Sequence, residues 1–433
     1  MITHKFRVLL EEYHAKRWFP KKYADPFGEL VDWITKEHLG AFLSEHEKSG
    51  KRELLDVAAY LAKLLPEVQQ PGLFQEYKRA VSQSLLNPNV LPHFAFYYLR
   101  TLPEEQTHLL WENFTQWSLQ RRSSLQDWLS TMIDLERSFE KLWSVYWDRS
   151  VEIPTLQNDL KSSRELFDWD RKQQTDGRSL PEILRFLRLS AWDALASWGD
   201  LRGFAKNVTE TCKIRRKPNL RKSDWNPAIQ FAVPIRPPQL VRVEYGEAAG
   251  PVDTMRFLFE LGQSFFYAGM DPQLEIESRI CGDPAVPLFW GFTFSGLLAD
   301  RSGLRRLVGH QAEDLAETIQ FASKFRDRYD AALAIYRGQV DAQLKDAQDV
   351  YMDCFETAFS FEGPHFLYLL DLDRASDAFY RTIAQRRAAI ATERFRELYG
   401  KEWFTSEGFA RRIRDYWWQG FHLTLKDIMR DLM

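Results

Sequence analysis

Apolar side chains recur at every third or fourth position over most of this chain, the spacing that lines one face of an α-helix. Asp25-Pro26 has the capping and first-turn chemistry that opens a helix, and Leu30, Ile34, Leu39, Phe42 and Leu43 continue the helical period behind it. Ser179-Leu180-Pro181-Glu182 reads as a capping box before a helix carrying Ile183, Phe186, Leu187 and Leu189. Breaks at Pro71-Gly72, Pro88, Pro103 and Asp176-Gly177 separate further helices. Two short stretches depart from this period. Ile229 to Ile235 and Val241 to Tyr245 are rich in β-branched and aromatic residues and flank Arg236-Pro237-Pro238-Gln239, so they predict a hairpin or small sheet. Pro234, which lacks an N–H, assigns the first strand to a sheet edge. No internal repeat or low-complexity tract interrupts the pattern, and the fold class it predicts is mainly α.

Composition narrows the function classes. A chain of 433 residues that is 45% hydrophobic and 27% charged can bury a large core and is long enough for two or more lobes. Its net charge of −3 gives no electrostatic case for nucleic acid or an anionic membrane. The 15 Trp, 16 Tyr and 31 Phe are expected to fill contacts between helices. Cys212, Cys281 and Cys354 form no CxxC pair and suggest neither a disulfide framework nor a zinc ribbon. The first residues do not read as a signal peptide, and the most apolar run, Leu288 to Ala299, is too short to span a bilayer. A cytoplasmic protein is the expectation. Arg215, Arg216, Lys217, Arg221 and Lys222 lack interleaved aromatics and read as a solvated loop between a helix and a strand. The nine histidines include no HxH or HxxxH pair, and no G-x-S-x-G motif occurs.

The stretch Phe257 to Phe266, FLFELGQSFF, changes the picture. By itself an E-L-G inside an apolar helix reads as a buried helix with a glycine for close packing. Joined to its neighbours it resembles the zinc-binding helix of the thimet-oligopeptidase and oligopeptidase F metallopeptidases, with both histidines replaced. In HExxH the two histidines stand one helical turn apart and leave the same face, so both imidazoles reach one Zn²⁺ while the intervening Glu takes a proton from the bound water. Phe259 and Gln263 stand at the two histidine positions and Glu260 at that of the glutamate. The third ligand of the family lies 25 residues beyond the second histidine, which here is Leu288 in GDPAVPLFWGFTFSGLL (Gly282 to Leu298). Ile229 to Asp253 is similar to the strands that precede the zinc helix, and Arg394 to Leu432 to the family's closing helices.

The resemblance implies a zincin-like, bilobed helical architecture with a small sheet or hairpin beside a cleft. It implies a helical N-terminal region (1–205) and a peptidase-like region (206–433), packed as one compact unit. The second region would hold short strands (229–245), a former zinc helix (253–269), the third-ligand segment (282–298) and C-terminal helices (370–432). A phenyl ring, a neutral amide and an isobutyl group are no zinc ligands, so no metal or other cofactor is predicted although zinc serves the family. Glu260, the surviving acid, is expected to pair structurally with Arg256 at i−4. Tyr380 lies in a segment (Tyr368 to Arg387) similar to one that supplies intermediate-stabilising tyrosines, a second of which is replaced near Ser376.

The function this implies is a non-catalytic pseudo-peptidase that binds a peptide or protein partner, a peptide adding as a strand at the edge that Pro234 marks. One alternative is an active hydrolase, using either a Glu260/Tyr380 acid–base pair or a relocated metal on His310 or His365 with Glu275, Glu277 or Cys281. Another is a scaffold that engages partners through Tyr416, Trp417 and Trp418. The sequence carries no signal for oligomeric state.

Overall fold

The computed structural model describes residues 1–18, 27–69, 120, 122–162, 213–216, 231–245, 251–308, 312–339, 347–359, 368 and 371–433. In chain order the elements begin with α1 (His4–Trp18), α2 (Phe27–Val31), α3 (Lys36–Ser49), α4 (Arg52–Gln69), α5 (Arg122–Ser138), α6 (Glu140–Ser144) and α7 (Arg149–Ser162). Three strands follow, β1 (Lys213–Arg216), β2 (Phe231–Arg236) and β3 (Leu240–Tyr245). The remaining helices are α8 (Pro251–Ala268), α9 (Ile276–Ile280), α10 (Ala285–Ser295), α11 (Arg301–Val308), α12 (Ala312–Gln339), α13 (Ala347–Phe359), α14 (Leu372–Tyr399), α15 (Glu407–Trp418) and α16 (Leu425–Leu432). The chain divides into two compact units, one of Met1–Gln69, Asp193–Ala316 and Ile383–Met433, the other of Gln70–Trp192 and Glu317–Thr382. The division at 205/206 drawn from sequence follows motif content, whereas these units follow contacts.

The mainly helical class with a small sheet is what the apolar spacing predicts. Within it, one helix predicted to continue from Pro26 to Leu43 is two, α2 and α3. Thr35 causes the break: its backbone is extended and its hydroxyl accepts the His38 N–H (3.2 Å), capping α3 afresh. Asp25-Pro26, the Ser179–Leu189 capping box and the breaks at 71–72, 88, 103 and 176–177 lie outside the described residues, as do Cys212, Lys217, Arg221 and Lys222.

The sheet has the order β1-β3-β2. β2 and β3 form the antiparallel pair expected from sequence, and β2 is an edge strand, as Pro234 requires. The third strand corrects the sequence reading. Arg215 and Arg216, read as part of a charged loop, belong to β1, which runs parallel to β3 with Lys213 opposite Arg242 and Arg216 opposite Tyr245. Ala15 of α1 packs on Val233 and Ile235 of β2, with Leu240 against them.

Helices α8 and α10 make the central crossing of the first unit. They approach so closely at Gly262 and Gly291 that a Cβ on Gly262 would stand 2.3 Å from the Trp290 carbonyl oxygen. Aromatic rings fill the surrounding space. Phe265 meets Phe294 edge to face at 5.2 Å, and Trp290 meets Trp417 of α15 at 5.7 Å. This corrects the reading of Tyr416, Trp417 and Trp418 as a docking patch: Tyr416 and Trp417 are buried and Trp418 alone of the three is exposed. Asp283, fully buried, joins two helix starts by accepting the N–H groups of Ala285 (2.9 Å) and Leu425 (2.9 Å).

The C-terminal helices are tied by carboxylates. Thr424 and Asp427 form a reciprocal capping box at α16. Asp431 accepts from the Tyr416 hydroxyl and from Arg412 at 2.6 Å. The Tyr416 hydrogen bond and the Arg412 charge hold the Asp431 carboxyl below its ordinary value. Partial burial pushes Asp427 up, but the Thr424 hydrogen bonds and the Arg430 and Arg52 charges outweigh it and leave that carboxyl lowered too. A carboxyl held low in the folded chain stabilises the fold above its unfolded value, about 4, and that contribution disappears as pH falls through the folded value. Hydrogen exchange in residues 407–433, corrected for intrinsic rates, is therefore expected to quicken from about pH 5 to about pH 3. Asp431→Asn, which lacks one of these carboxylates throughout, should show the smaller change.

Candidate functional site

Phe259, Glu260 and Gln263 all lie on α8, which occupies nearly the range expected for the former zinc helix. The helix forms there because Met255 to Phe266 is apolar on nearly every side and is enclosed by the sheet on one flank and α10 on the other. Phe259 is buried, and its ring meets Phe292 of α10 edge to face at 4.8 Å while lying against Gly291. The first ligand position of the resembled motif is thus an aromatic anchor of the crossing between α8 and α10. Leu288 lies on α10 and is half-buried.

The carboxylate of Glu260 is fully engaged. Its Oε2 accepts the Ala232 backbone N–H of β2 (2.9 Å) and the Gln263 side-chain amide N–H (3.1 Å), while Oε1 faces Arg256 Nε at 3.6 Å. The i,i+4 pairing of Arg256 with Glu260 is the one read from sequence. Both side chains are buried, so the pair sits where charge–charge attraction is stronger than on a surface. Burial, together with the Glu260 charge, pushes the Tyr267 phenol well above its ordinary value, so that hydroxyl stays protonated.

Sequence reasoning did not connect β2 to α1. His14 Nε2 lies 2.6 Å from the Pro234 carbonyl oxygen and Nδ1 lies 2.8 Å from the Tyr60 hydroxyl. Because a carbonyl only accepts, Nε2 carries a proton and donates it to Pro234. In an antiparallel edge strand, alternate residues turn both backbone polar groups outward. On β2 those residues are Ala232 and Pro234: the Ala232 N–H goes to Glu260, the Pro234 carbonyl is taken by His14, and Pro234 has no N–H. The edge offered by sequence as a peptide-adding strand is therefore occupied by side chains of the protein itself.

The residues proposed for a relocated metal site have other partners or other positions. His310 and His365 lie outside the described residues. Glu277 Oε1 accepts two hydrogen bonds from Arg7 (3.0 and 2.6 Å), Glu275 pairs with the same guanidinium at 3.1 Å, and Cys281 is a buried thiol that burial pushes well above its ordinary value. Among the described residues, no three His, Cys, Asp or Glu side chains cluster as metal ligands would. Tyr380 belongs to the second unit, where its buried ring lies edge-on to Trp143 at 6.4 Å and to Phe379 at 5.9 Å. Among the described residues no helix is long and apolar enough to cross a membrane.

Comparison with protein-family profiles and with curated proteins finds no match. Solved structures do match. A Bacillus anthracis protein assigned to oligoendopeptidase F superposes with a TM-score of 0.61 at 9% identity, over 94% of this chain and 80% of that one. PZ peptidase A, solved with an inhibitor, gives 0.59 at 9% identity over 98% and 80% of the two chains. The fold is a helical metallopeptidase fold. A Pyrococcus furiosus carboxypeptidase matches over still more of both chains, 99% and 93%, with a TM-score of 0.55 at 9% identity. At such identity the likeness concerns the path of the backbone, and what the metallopeptidase fold does here depends on the residues it carries.

Proposed function

We propose that this chain is a non-catalytic metallopeptidase-like protein, a pseudo-peptidase whose three metal-ligand positions are filled by Phe259, Gln263 and Leu288 and whose remaining activity is binding a peptide or protein partner. The observation that carries this reading is the commitment of Glu260. A general base must have an oxygen facing the reacting water, and here one oxygen is bonded to the Ala232 and Gln263 N–H groups while the other faces Arg256. Nor does the donor set fit zinc: a phenyl ring packed on Phe292, an amide turned to Glu260 and an aliphatic side chain supply no thiolate, imidazole or carboxylate. A peptide adding along the outer edge of β2 would have to displace Glu260 from the Ala232 N–H and His14 from the Pro234 carbonyl.

The test is elemental analysis of the full chain purified without chelators or added metal, paired with a peptide-hydrolysis screen of wild type and Glu260→Gln. The reading expects far less than one zinc per chain, and equal inertness of the two proteins. One zinc per chain would overturn the ligand assignment. Turnover in wild type that Glu260→Gln abolishes would replace this reading with an active hydrolase built on Glu260.

A further inference from the structure

Between Met255 and Ala268, α8 leaves two side chains unburied, Gln263 and Tyr267. They stand one helical turn apart, so both leave the helix on the same face, with Cβ atoms about 5–6 Å from each other. This face adjoins the crossing with α10, where Gly262 abuts the Trp290 carbonyl. On α10 itself, Leu288 is the one side chain from Ala285 to Ser295 that is not buried.

Each of the two polar side chains has one hydrogen-bonding function left. Gln263 Nε2 donates to Glu260 Oε2 (3.1 Å), and because a carboxylate only accepts, the orientation of the amide is settled. Its Oε1 is then an acceptor that meets no donor among the described residues. The Tyr267 ring is held between Phe266 (5.3 Å) and Phe421 (6.3 Å), while its protonated hydroxyl meets no hydrogen-bond partner among the described residues. Neither oxygen is among the enclosed ones. The face therefore presents an acceptor and, one turn on, a donor.

A ligand answering both must direct a donor and an acceptor to the same side. A primary carboxamide does so, because one of its N–H groups lies cis to its carbonyl. The N–H and C=O of a trans peptide unit point apart. A carboxylate has no N–H, and it would bring a second negative charge beside Glu260, whose charge already bears on the Tyr267 phenol. An ammonium group has no acceptor.

We propose that Gln263 and Tyr267 bind the side-chain carboxamide of a glutamine in a partner peptide. Gln263 Oε1 accepts its N–H and the Tyr267 hydroxyl donates to its C=O. The inference rests on the pseudo-peptidase reading, under which Gln263 holds no metal.

Ligand-observed NMR titration of the full chain with N-acetyl-glutamine N-methylamide, and with the glutamate compound of the same shape, tests it at neutral pH. The glutamine compound is expected to bind saturably in the millimolar range and about fivefold or more tighter than the glutamate one. Tyr267→Phe keeps the ring contacts and removes the donor, so it should weaken the glutamine compound roughly fivefold. Gln263→Met, which removes the acceptor, should weaken it by a similar factor. No saturation by about 10 mM, equal affinity for the glutamate compound, or wild-type affinity in a folded Tyr267→Phe would each overturn the proposal. Zinc content of the same sample keeps two failures apart. A zinc-free protein that ignores the glutamine compound overturns this inference and leaves the pseudo-peptidase reading standing, whereas one zinc per chain overturns that reading and this inference with it.

Discussion

Gly262→Ala is expected to destabilise the first unit by about 3 kcal/mol or more, at or beyond the upper end of ordinary overpacking. The added Cβ would stand 2.3 Å from the Trp290 carbonyl oxygen, 2.8 Å from its carbonyl carbon and 3.0 Å from the Gly291 Cα. All three are backbone atoms, which no rotamer change can move aside. Relief requires α8 and α10 to separate, and separation would open the contacts of Phe259 with Phe292 and of Phe265 with Phe294. At Gly291 the two nearest atoms are in the Phe259 ring, at 2.7 and 2.8 Å, and the one close backbone atom, the Phe259 carbonyl oxygen, is farther off at 2.9 Å, so Gly291→Ala should also destabilise but by less. Gly40 of α3 is the control: a Cβ there meets nothing within 4 Å, and Gly40→Ala should be neutral or stabilising by roughly 0.5–1 kcal/mol. Urea denaturation of the three variants decides the matter. A Gly262→Ala loss below about 1 kcal/mol would mean that the two helices do not cross as closely as described.

The glycine shows what kind of information a linear pattern holds. E-L-G in an apolar helix was readable as a close-packing signal, because only a missing side chain lets two helix backbones touch. The helix bounds, the hairpin and its edge position were readable for similar reasons: each follows from a period or from a residue such as Pro234 with one permitted place. So was the Arg256–Glu260 pair, since helical geometry alone brings i and i+4 together. β1 was not readable. Lys213–Arg216 contains one apolar residue, and its extended form comes from pairing with a strand that starts 27 residues later. The same holds for His14, whose carbonyl partner at Pro234 is 220 residues away and is a backbone atom, invisible to any residue pattern. Trp417 and Trp418 are adjacent and chemically alike, yet one is buried and the other exposed, because the α15 face that meets α8 and α10 takes only one of them.

Glu260→Ala is expected to cost roughly 3 kcal/mol, the range measured when one member of a buried ion pair is removed. Three interactions end together: the acceptor for the Ala232 N–H, the partner of the Gln263 amide and the carboxylate facing Arg256, which is itself 3% exposed. Losing the Ala232 bond would also uncover the outer edge of β2, where exchange of that amide should quicken more than elsewhere in the sheet. Glu260→Gln keeps an oxygen for Ala232 but gives up the negative charge, and a loss of about 1–2 kcal/mol follows from weakening a charge-assisted bond to a neutral one. A catalytic glutamate behaves in the opposite way, since its replacement removes turnover while leaving or even raising stability. Denaturation curves and hydrogen exchange on wild type, Glu260→Gln and Glu260→Ala therefore separate the two roles without any knowledge of a substrate. A graded loss in that order identifies a residue kept for the sheet it holds. Unchanged stability within about 0.5 kcal/mol in both variants would make Glu260 a group free to do chemistry.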